Sequence, residues 1–291
     1  MPTPAAGHVR IRVAAAAVNP SDPFLWRSLG PTALDHPVIP GLDAAGTIDA
    51  VGEEVDDRLA VGDRVMAMVN ARRPEGGAQA EMIVVPAASV VTIADHLSLT
   101  AAATLPMTGL TALQGLHQLG LPPGSTLAVT GGAGQLASYL IPLAKQRGLR
   151  VIADANPADD ALVRSFGADD VVPRGEGFAG AVCDLVPDGV DAVYDTAVLT
   201  RSAVPALRDG GSIAVVRGWD EEGEPERGIT VHQVSVGAAM HNTAWLQTLA
   251  DQAALGNLQL RVKDVYAPER AIDAYQRMEA GGLRGRLVIT F

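Results

Sequence analysis

The chain has 291 residues, of which 48% are hydrophobic, and its formal net charge is −11 at pH 7. This length suggests one large domain or two of ordinary size, and the acidic charge argues against partners such as nucleic acid or an anionic membrane surface. The single cysteine, Cys183, excludes a disulfide within the chain, and no apolar run approaches the roughly 18–20 residues of a membrane-spanning helix, so we expect a cytoplasmic protein.

The first 95 or so residues are predicted to be rich in β-structure, because no long helical pattern separates their short apolar runs. The expected strands lie in Gly7–Val18, Pro37–Val51, Leu59–Val69, Glu81–Val85 and Val90–Ile93. The next segment, Ser98–Gly120, has a helical pattern with Thr100 as a candidate N-cap.

The segment Ser125–Gly148 predicts a strand, a tight glycine turn and a helix. Thr126–Thr130 is a short apolar, β-branched run, and the glycines that follow permit a sharp reversal. A helical pattern then starts at about Gln135 and ends at Gly148. The glycine pattern Gly131-x-x-Gly134-x-x-Ala137 is weak alone, but its position between strand and helix favours a pyrophosphate site at the helix N-terminus.

Beyond this segment the pattern alternates between strand and helix, which predicts an α/β fold with a doubly wound parallel sheet. The predicted strands are Arg150–Asp154, Asp170–Val172, Asp191–Asp195, Gly211–Val216 and Ile229–Val234, and the predicted helices are Ala158–Phe166 and Ser202–Arg208. The chain is then expected to finish with a helix over Thr243–Leu255, opened by Asn242 or Thr243 and closed by Gly256, a strand over Val262–Tyr266, a helix over Pro268–Ala280 and a strand over Arg286–Thr290.

Several segments, in order over nearly the whole chain, resemble the medium-chain dehydrogenase/reductase superfamily, specifically its zinc-free quinone oxidoreductase (zeta-crystallin-like) branch. Besides the glycine turn they are Ala17–Asp22, Pro40–Gly46, Val61–Val65, Ala80–Pro86, Gly109–Ala112, Phe166–Asp169 and Gly285–Val288. The resemblance implies a discontinuous GroES-like catalytic domain (residues 1–97 and 240–291) around a Rossmann domain (residues 98–239), with the site in the cleft between them.

The same resemblance bears on metal binding. Zinc alcohol dehydrogenases of the superfamily carry a cysteine where this chain has Asn19, and a His-Glu pair where it has Leu42-Asp43. The six histidines show no ligand spacing. They are His8, His36, His96, His117, His232 and His241. We therefore expect no metal.

Without a Lewis acid, hydride transfer to a simple ketone would leave an unstabilised alkoxide, whereas a quinone or an α,β-unsaturated carbonyl spreads the charge over a conjugated system. The expected activity is therefore zinc-independent, NAD(P)H-dependent reduction of a quinone or enone by direct hydride transfer. Two alternatives stay open: an enoyl reductase of a biosynthetic pathway, and a non-catalytic dinucleotide-binding regulatory protein.

By the resemblance, Asn19 lies near the nicotinamide and substrate, although an Asx turn before Pro20 would explain it equally well. Phe24 stands where some quinone oxidoreductases have a tyrosine, so the proton is expected to come from water. The candidate substrate-pocket residues are Asn19, Asp22, Phe24, Leu42, Trp219 and Met240. The candidate cofactor-binding residues are Thr111, Gly131, Gly132, Ala133, Gly134, Gln135, Leu136, Ala137, Asp154 and Val216. Turn formation or helix and core packing is the alternative role for several of them, including Asp22, Thr111, Trp219 and Met240.

The choice between NADPH and NADH is left open. Residues 153–160 contain three aspartates, and the first cation after them is Arg164. Asp154 therefore favours NADH, because an acid there can hydrogen-bond to the ribose hydroxyls and repels a 2′-phosphate, unless its side chain points away. The resemblance instead implies NADPH. It also implies a homodimer formed by pairing Ile229–Val234 across a two-fold axis, for which an ordinary edge strand is the alternative.

Overall fold

The computed structural model describes residues 1–24, 38–74, 76–219 and 226–291, and His36 and Pro37, named above, lie outside them. The chain forms two compact units, one of Met1–Leu110 with Gly237–Phe291 and one of Thr111–Val236. The first boundary between these units lies within the continuous helix Pro106–Leu119.

The N-terminal part of the described chain contains strands β1 (His8–Val18), β2 (Asp43–Val51), β3 (Arg64–Met68), β4 (Met82–Pro86) and β5 (Val90–Thr92), then helices α1 (Leu99–Ala102) and α2 (Pro106–Leu119). The single helix predicted over Ser98–Gly120 is wrong: Pro106, which lacks an N–H, begins a second helix. The N-cap of α1 is Ser98 rather than Thr100, and its hydroxyl accepts a hydrogen bond from the N–H of Ala101 at 3.1 Å.

The second unit contains β6 (Thr126–Thr130), α3 (Gln135–Gln146), β7 (Arg150–Ala155), α4 (Asp160–Ser165), β8 (Asp170–Pro173), α5 (Phe178–Leu185), β9 (Val190–Asp195), β10 (Leu207–Val215) and β11 (Thr230–Gln233). The predicted alternation is confirmed, although α5 was not foreseen. The helix expected over Ser202–Arg208 is a 3₁₀-helix at Thr200–Ala206 that contains Pro205.

These six strands form one parallel sheet in the order β11-β10-β9-β6-β7-β8. This is a doubly wound order: from β6 the successive strands are added on one side of the sheet, and from β9 they are added on the other side. Ligands bind at the carboxyl ends of the two strands where the order switches. The glycine turn follows β6 and Asp195 ends β9, so both lie at that switch point.

The chain closes with α6 (Thr243–Ala254), β12 (Val262–Tyr266), α7 (Ala271–Glu279) and β13 (Arg286–Thr290). Of the two candidate caps of α6, Asn242 is the one used, since its Oδ1 accepts the N–H of Trp245 at 3.1 Å. In the first unit the sheet order is β12-β13-β1-β2-β3-β5, with β4 also paired to β1. The antiparallel pair of β1 and β13 therefore brings the C-terminal strand beside the turn that begins at Asn19.

Candidate active site

A buried polar cluster surrounds the turn after β1. Asn19, Asp22 and Asp43 are all inaccessible to solvent. The Asn19 side-chain Nδ2 donates to Asp43 Oδ2 at 2.6 Å, and its backbone N–H donates to Asp22 Oδ2 at 2.9 Å. Asp43 Oδ1 accepts the backbone N–H of Met107. Two carboxyl groups thus hold Asn19, one through its side chain and one through its backbone.

Residues close to the C-terminus complete this cluster. The Tyr275 hydroxyl, from α7, donates to Asp22 Oδ2 at 2.9 Å and accepts from Gln79 Nε2 at 2.8 Å. Arg286, buried in β13, donates to Thr108 Oγ1 at 2.6 Å. None of these residues was given a role in the site from the sequence, although Arg286 lies in Gly285–Val288, one of the segments that resemble the family.

Both acids of the cluster have perturbed pKa values. Burial raises the pKa of Asp22 to about 7 and that of Asp43 to about 6, because an isolated charge is poorly solvated there. The hydrogen bonds they accept and the positive charge of Arg286 oppose these shifts, while the charge of Asp43 adds to the shift of Asp22. Acids that titrate near neutral pH in a buried polar cluster are typical of functional sites.

The other predicted pocket residues are more dispersed. Leu42 is half-buried next to Asp43, and its carbonyl accepts from the N–H of Val69 at 2.8 Å. Phe24 is exposed, and the carbonyl of half-buried Met240 accepts from Ser89 Oγ at 2.9 Å. Trp219 belongs to the second unit, where it packs against the core beside the sheet, with Arg201 over its ring at 5.2 Å. The structure therefore brings Asn19 and Asp22 together, with Leu42 adjacent.

The residues at the zinc positions of the superfamily do not fit a zinc site. Asparagine and leucine replace two ligands, and both carboxylate oxygens of Asp43 accept N–H groups. Among the described residues, no group of three or more His, Cys, Asp or Glu side chains could hold a metal ion.

In the second unit the glycine turn has the form of an anion cradle. Gly131 has φ of +67°, and a Cβ on Gly132 would lie 2.5 Å from the carbonyl oxygen of Asp154. The N-cap residue of α3 is Gly134, which has no side chain that could cap the helix. These features fit a bound pyrophosphate. Of the other predicted contacts around the turn, Ala133 and Ala137 are buried, whereas Gln135, Leu136 and Val216 are half-buried.

The carboxyl group of Asp154 accepts hydrogen bonds from the backbone of this turn. Asp154 is 1% exposed, its Oδ1 accepts the N–H of Gly132 at 2.9 Å, and the N–H of Gly131 also bonds to it. Burial raises its pKa, which these hydrogen bonds and the charge of Arg174 oppose. Arg174 is exposed just after β8. It was not identified from the sequence as a cation near the cofactor, because it lies ten residues beyond Arg164.

Polar contacts also order the ends of β6 and β9. Asp195, inaccessible to solvent, accepts from Thr130 Oγ1 at 2.6 Å and from the N–H groups of Leu199 and Thr200 at 3.0 and 2.7 Å. Thr111, at the start of this unit, is buried in α2, and its carbonyl accepts the Tyr194 hydroxyl at 2.6 Å.

One unit with a parallel sheet in this order and a glycine turn at its switch point, together with a second unit built on a mostly antiparallel sheet, is typical of dinucleotide-binding oxidoreductases of the alcohol dehydrogenase type. Two family models agree: "Alcohol dehydrogenase GroES-like domain" matches residues 5–95, and "Zinc-binding dehydrogenase" matches residues 166–289. None of the described helices is long and apolar enough to cross a membrane.

Similarity to known proteins indicates which branch of the family the chain fits. The chain is 30% identical over 292 residues to 2-methylene-furan-3-one reductase of Solanum lycopersicum, covering 97% of this chain and 71% of that protein. It is 32% identical over 217 residues to an NADPH-dependent alkenal/one oxidoreductase of Arabidopsis thaliana, covering 72% and 55%. A mycobacterial quinone oxidoreductase matches the whole chain and 93% of its own, with a TM-score of 0.82 and 27% identity. The chain belongs to the medium-chain dehydrogenase/reductase superfamily and fits its quinone oxidoreductase branch, as the sequence motifs predicted; it is an NAD(P)H-dependent oxidoreductase.

Proposed function

We propose that this protein uses NADPH to reduce an α,β-unsaturated carbonyl compound or a quinone by direct hydride transfer without a metal. The observation that carries the proposal is the cluster around Asn19, where hydrogen-bonded side chains stand in place of the superfamily's zinc ligands. Without a Lewis acid, a conjugated acceptor is the substrate class whose developing charge is already delocalised. The names of the tomato, Arabidopsis and mycobacterial relatives support the same classes.

The chain's own residues would bind and orient the reactants. When bound, the dihydronicotinamide supplies the hydride, and the glycine turn with the N-terminus of α3 holds the pyrophosphate. Asn19 acts as a positioning residue in this proposal. Its Nδ2 is engaged by Asp43, and its Oδ1 is buried without a hydrogen-bond partner among the described residues, so it offers an acceptor rather than a donor.

We favour NADPH over NADH because of Asp154 and Arg174. The Asp154 carboxyl is used by the turn, which removes the main local argument for a ribose-binding acid. Arg174 adds an exposed cation beside β7, the strand whose carboxyl end adjoins the adenosine ribose in this fold.

The cofactor preference can be measured with Arg174→Gln. Loss of a guanidinium–phosphate interaction of about 1.5–3 kcal/mol should raise the Kd for NADPH by about 10- to 100-fold and leave that for NADH within about twofold. The matched control is Arg164→Gln, since Arg164 already pairs with Asp160 at 2.8 Å and should not affect either Kd. Equal losses for both cofactors would contradict the role of Arg174.

The substrate class can be tested by following NADPH oxidation with four acceptors: an enone, a quinone, an enoyl thioester and a saturated ketone. We expect turnover with the enone or the quinone, none with the ketone, and no loss after dialysis against a chelator. Preference for the thioester would select the enoyl reductase alternative. Tight NADPH binding without reduction of any acceptor would favour a regulatory protein.

We also propose that the protein works as a homodimer in the cytosol. β11 is an edge strand of the parallel sheet, and pairing of two such edges would continue the sheet across a two-fold axis. The solitary Cys183 is suited to a reducing compartment. Light scattering should give twice the chain mass, and Val231→Pro, which removes a backbone N–H from this edge strand, should give the monomer; a monomeric wild type would contradict the proposal.

A further inference from the structure

Asp22 has an asymmetric set of hydrogen bonds. Its Oδ2 accepts two donors, the backbone N–H of Asn19 and the hydroxyl of Tyr275, each at 2.9 Å. Its Oδ1 is buried and has no hydrogen-bond partner among the described residues. Asp43 differs, since each of its oxygens accepts one N–H. A buried carboxylate oxygen without a donor is costly, and a proton placed on Oδ1 removes the buried charge and leaves an O–H that can donate to a bound substrate.

We propose that Asp22 is the resident acid of this site, which carries its proton on Oδ1 and delivers it to the substrate as hydride transfer completes the reduction. The inference rests on the proposed function. It replaces the expectation that water supplies the proton directly, which arose because Phe24 lacks a hydroxyl group.

The electrons and protons of this step balance. A C–H bond of the dihydronicotinamide breaks and its electron pair forms a C–H bond at the carbon β to the substrate carbonyl, so the dihydronicotinamide is oxidised and the enone reduced. The Asp22 O–H bond then breaks, and its proton forms a bond to the resulting enolate. The carboxylate keeps the Asn19 and Tyr275 hydrogen bonds on Oδ2 and regains its proton from water.

The surroundings of Asp22 suit an acid that works near neutral pH. Among the described residues, the ionisable groups that act on it are Tyr275 from α7, Asp43 from β2 and Arg286 from β13. Burial and the charge of Asp43 favour the neutral acid, whereas Arg286 and the two hydrogen bonds favour the carboxylate. The balance puts the pKa of Asp22 at about 7, within the range in which a general acid is most effective.

The protonation state can be read without cofactor or turnover. Infrared difference spectra between wild type and Asp22→Asn should show the C=O band of a protonated carboxyl group, which fades as pH rises through about 7. Asparagine can accept the same two hydrogen bonds through its Oδ1, so this variant should keep the fold while lacking the acid.

The pH dependence of the reaction rate should also report the ionisation of Asp22. The kcat/KM of wild type should fall as pH rises through the pKa of Asp22, and Asp22→Asn should lose about 10²–10⁴-fold in rate together with that pH dependence. Tyr275→Phe removes a donor to the ionised form, so it should move the decline to higher pH. Asp63→Asn is the matched control, because Asp63 also accepts the N–H of the residue three positions earlier, at 2.8 Å, but lies in an exposed turn.

The outcomes separate the two proposals. An absent infrared band, or an Asp22→Asn variant with wild-type rate and pH dependence, overturns the role of Asp22 while leaving the proposed function intact. A wild type that shows the band but reduces neither enone nor quinone contradicts the proposed function and the proton transfer with it. If Asp22→Asn does not fold, the pH shift of Tyr275→Phe decides: a decline that stays at the wild-type pH refutes the proposal.

Discussion

The Gly132→Ala substitution tests whether the glycine turn is built as the structure has it. The added Cβ would lie 2.5 Å from the carbonyl oxygen of Asp154 and 3.1 Å from the Cβ of Ala153. Both belong to β7, which is paired on one side with β6 and on the other with β8, so the strand cannot move aside. The turn must shift instead, and the 2.9 Å hydrogen bond from Gly132 N–H to Asp154 Oδ1 is stretched or lost.

Two costs set the size of the effect. A hydrogen bond to a charged acceptor contributes about 1.5–3 kcal/mol, and overpacking a tight site costs about 1–3 kcal/mol. The two overlap, since the shift that relieves the overpacking breaks the bond, so we expect a loss of about 2–4 kcal/mol in the free energy of unfolding. A displaced cradle should also weaken NADPH binding by about 10- to 100-fold, which corresponds to about 1.4–2.8 kcal/mol.

Urea unfolding would measure the stability of this variant, and a fluorescence titration its Kd for NADPH. The control is Gly180→Ala, because Gly180 is exposed in α5 and an added Cβ would meet nothing within 4 Å. Alanine there should raise the stability by up to about 1 kcal/mol and leave the Kd unchanged. A Gly132→Ala variant that binds NADPH within about twofold of wild type would refute our account of the cradle.

Two further predictions concern stability. Asp22 and Asp43 have raised pKa values, about 7 and 6 against 3.8 for the ordinary group, so the folded protein binds their protons more tightly than the unfolded chain does. Their stabilising contribution is complete below about pH 4 and is lost as pH rises to about 7. Asp22→Asn should therefore gain stability relative to wild type over that pH range, as measured by urea unfolding at a series of pH values. A difference in stability that does not change with pH would contradict this. Gly115→Ala should lose about 1–3 kcal/mol, because the new Cβ would collide with the ring of Tyr194, whose hydroxyl is tied to the carbonyl of Thr111; an unchanged urea midpoint would show that the ring can move.

Local patterns made the parallel sheet predictable. The strand Thr126–Thr130 was predicted with its observed limits, and Gly148 was identified as the helix stop, because both signals lie within a few residues of the feature they predict. Where two local signals competed, the prediction failed: the helical pattern of Ser98–Gly120 concealed the break at Pro106.

The network around Asn19 was only half predictable. The turn motif pointed to Asn19 and Asp22, but Tyr275 lies 253 residues from Asp22 and 196 from Gln79 in the chain. Such contacts depend on how β13 and α7 return to the first sheet, which no local pattern encodes. Asp154 was singled out from the sequence as a candidate ribose-binding acid, but its carboxyl points into the turn, and only the three-dimensional structure could reveal that direction.

The most direct measurement of the central claim is the fate of a labelled hydride. The protein would be supplied with NADPH deuterated at C4 of the nicotinamide on the transferred face, together with an enone, in ordinary water. Our account predicts a saturated ketone that carries one deuterium, at the carbon β to the carbonyl, with the same yield after dialysis against a chelator. A saturated product without deuterium, or a reaction that stops when metal is removed, would contradict it.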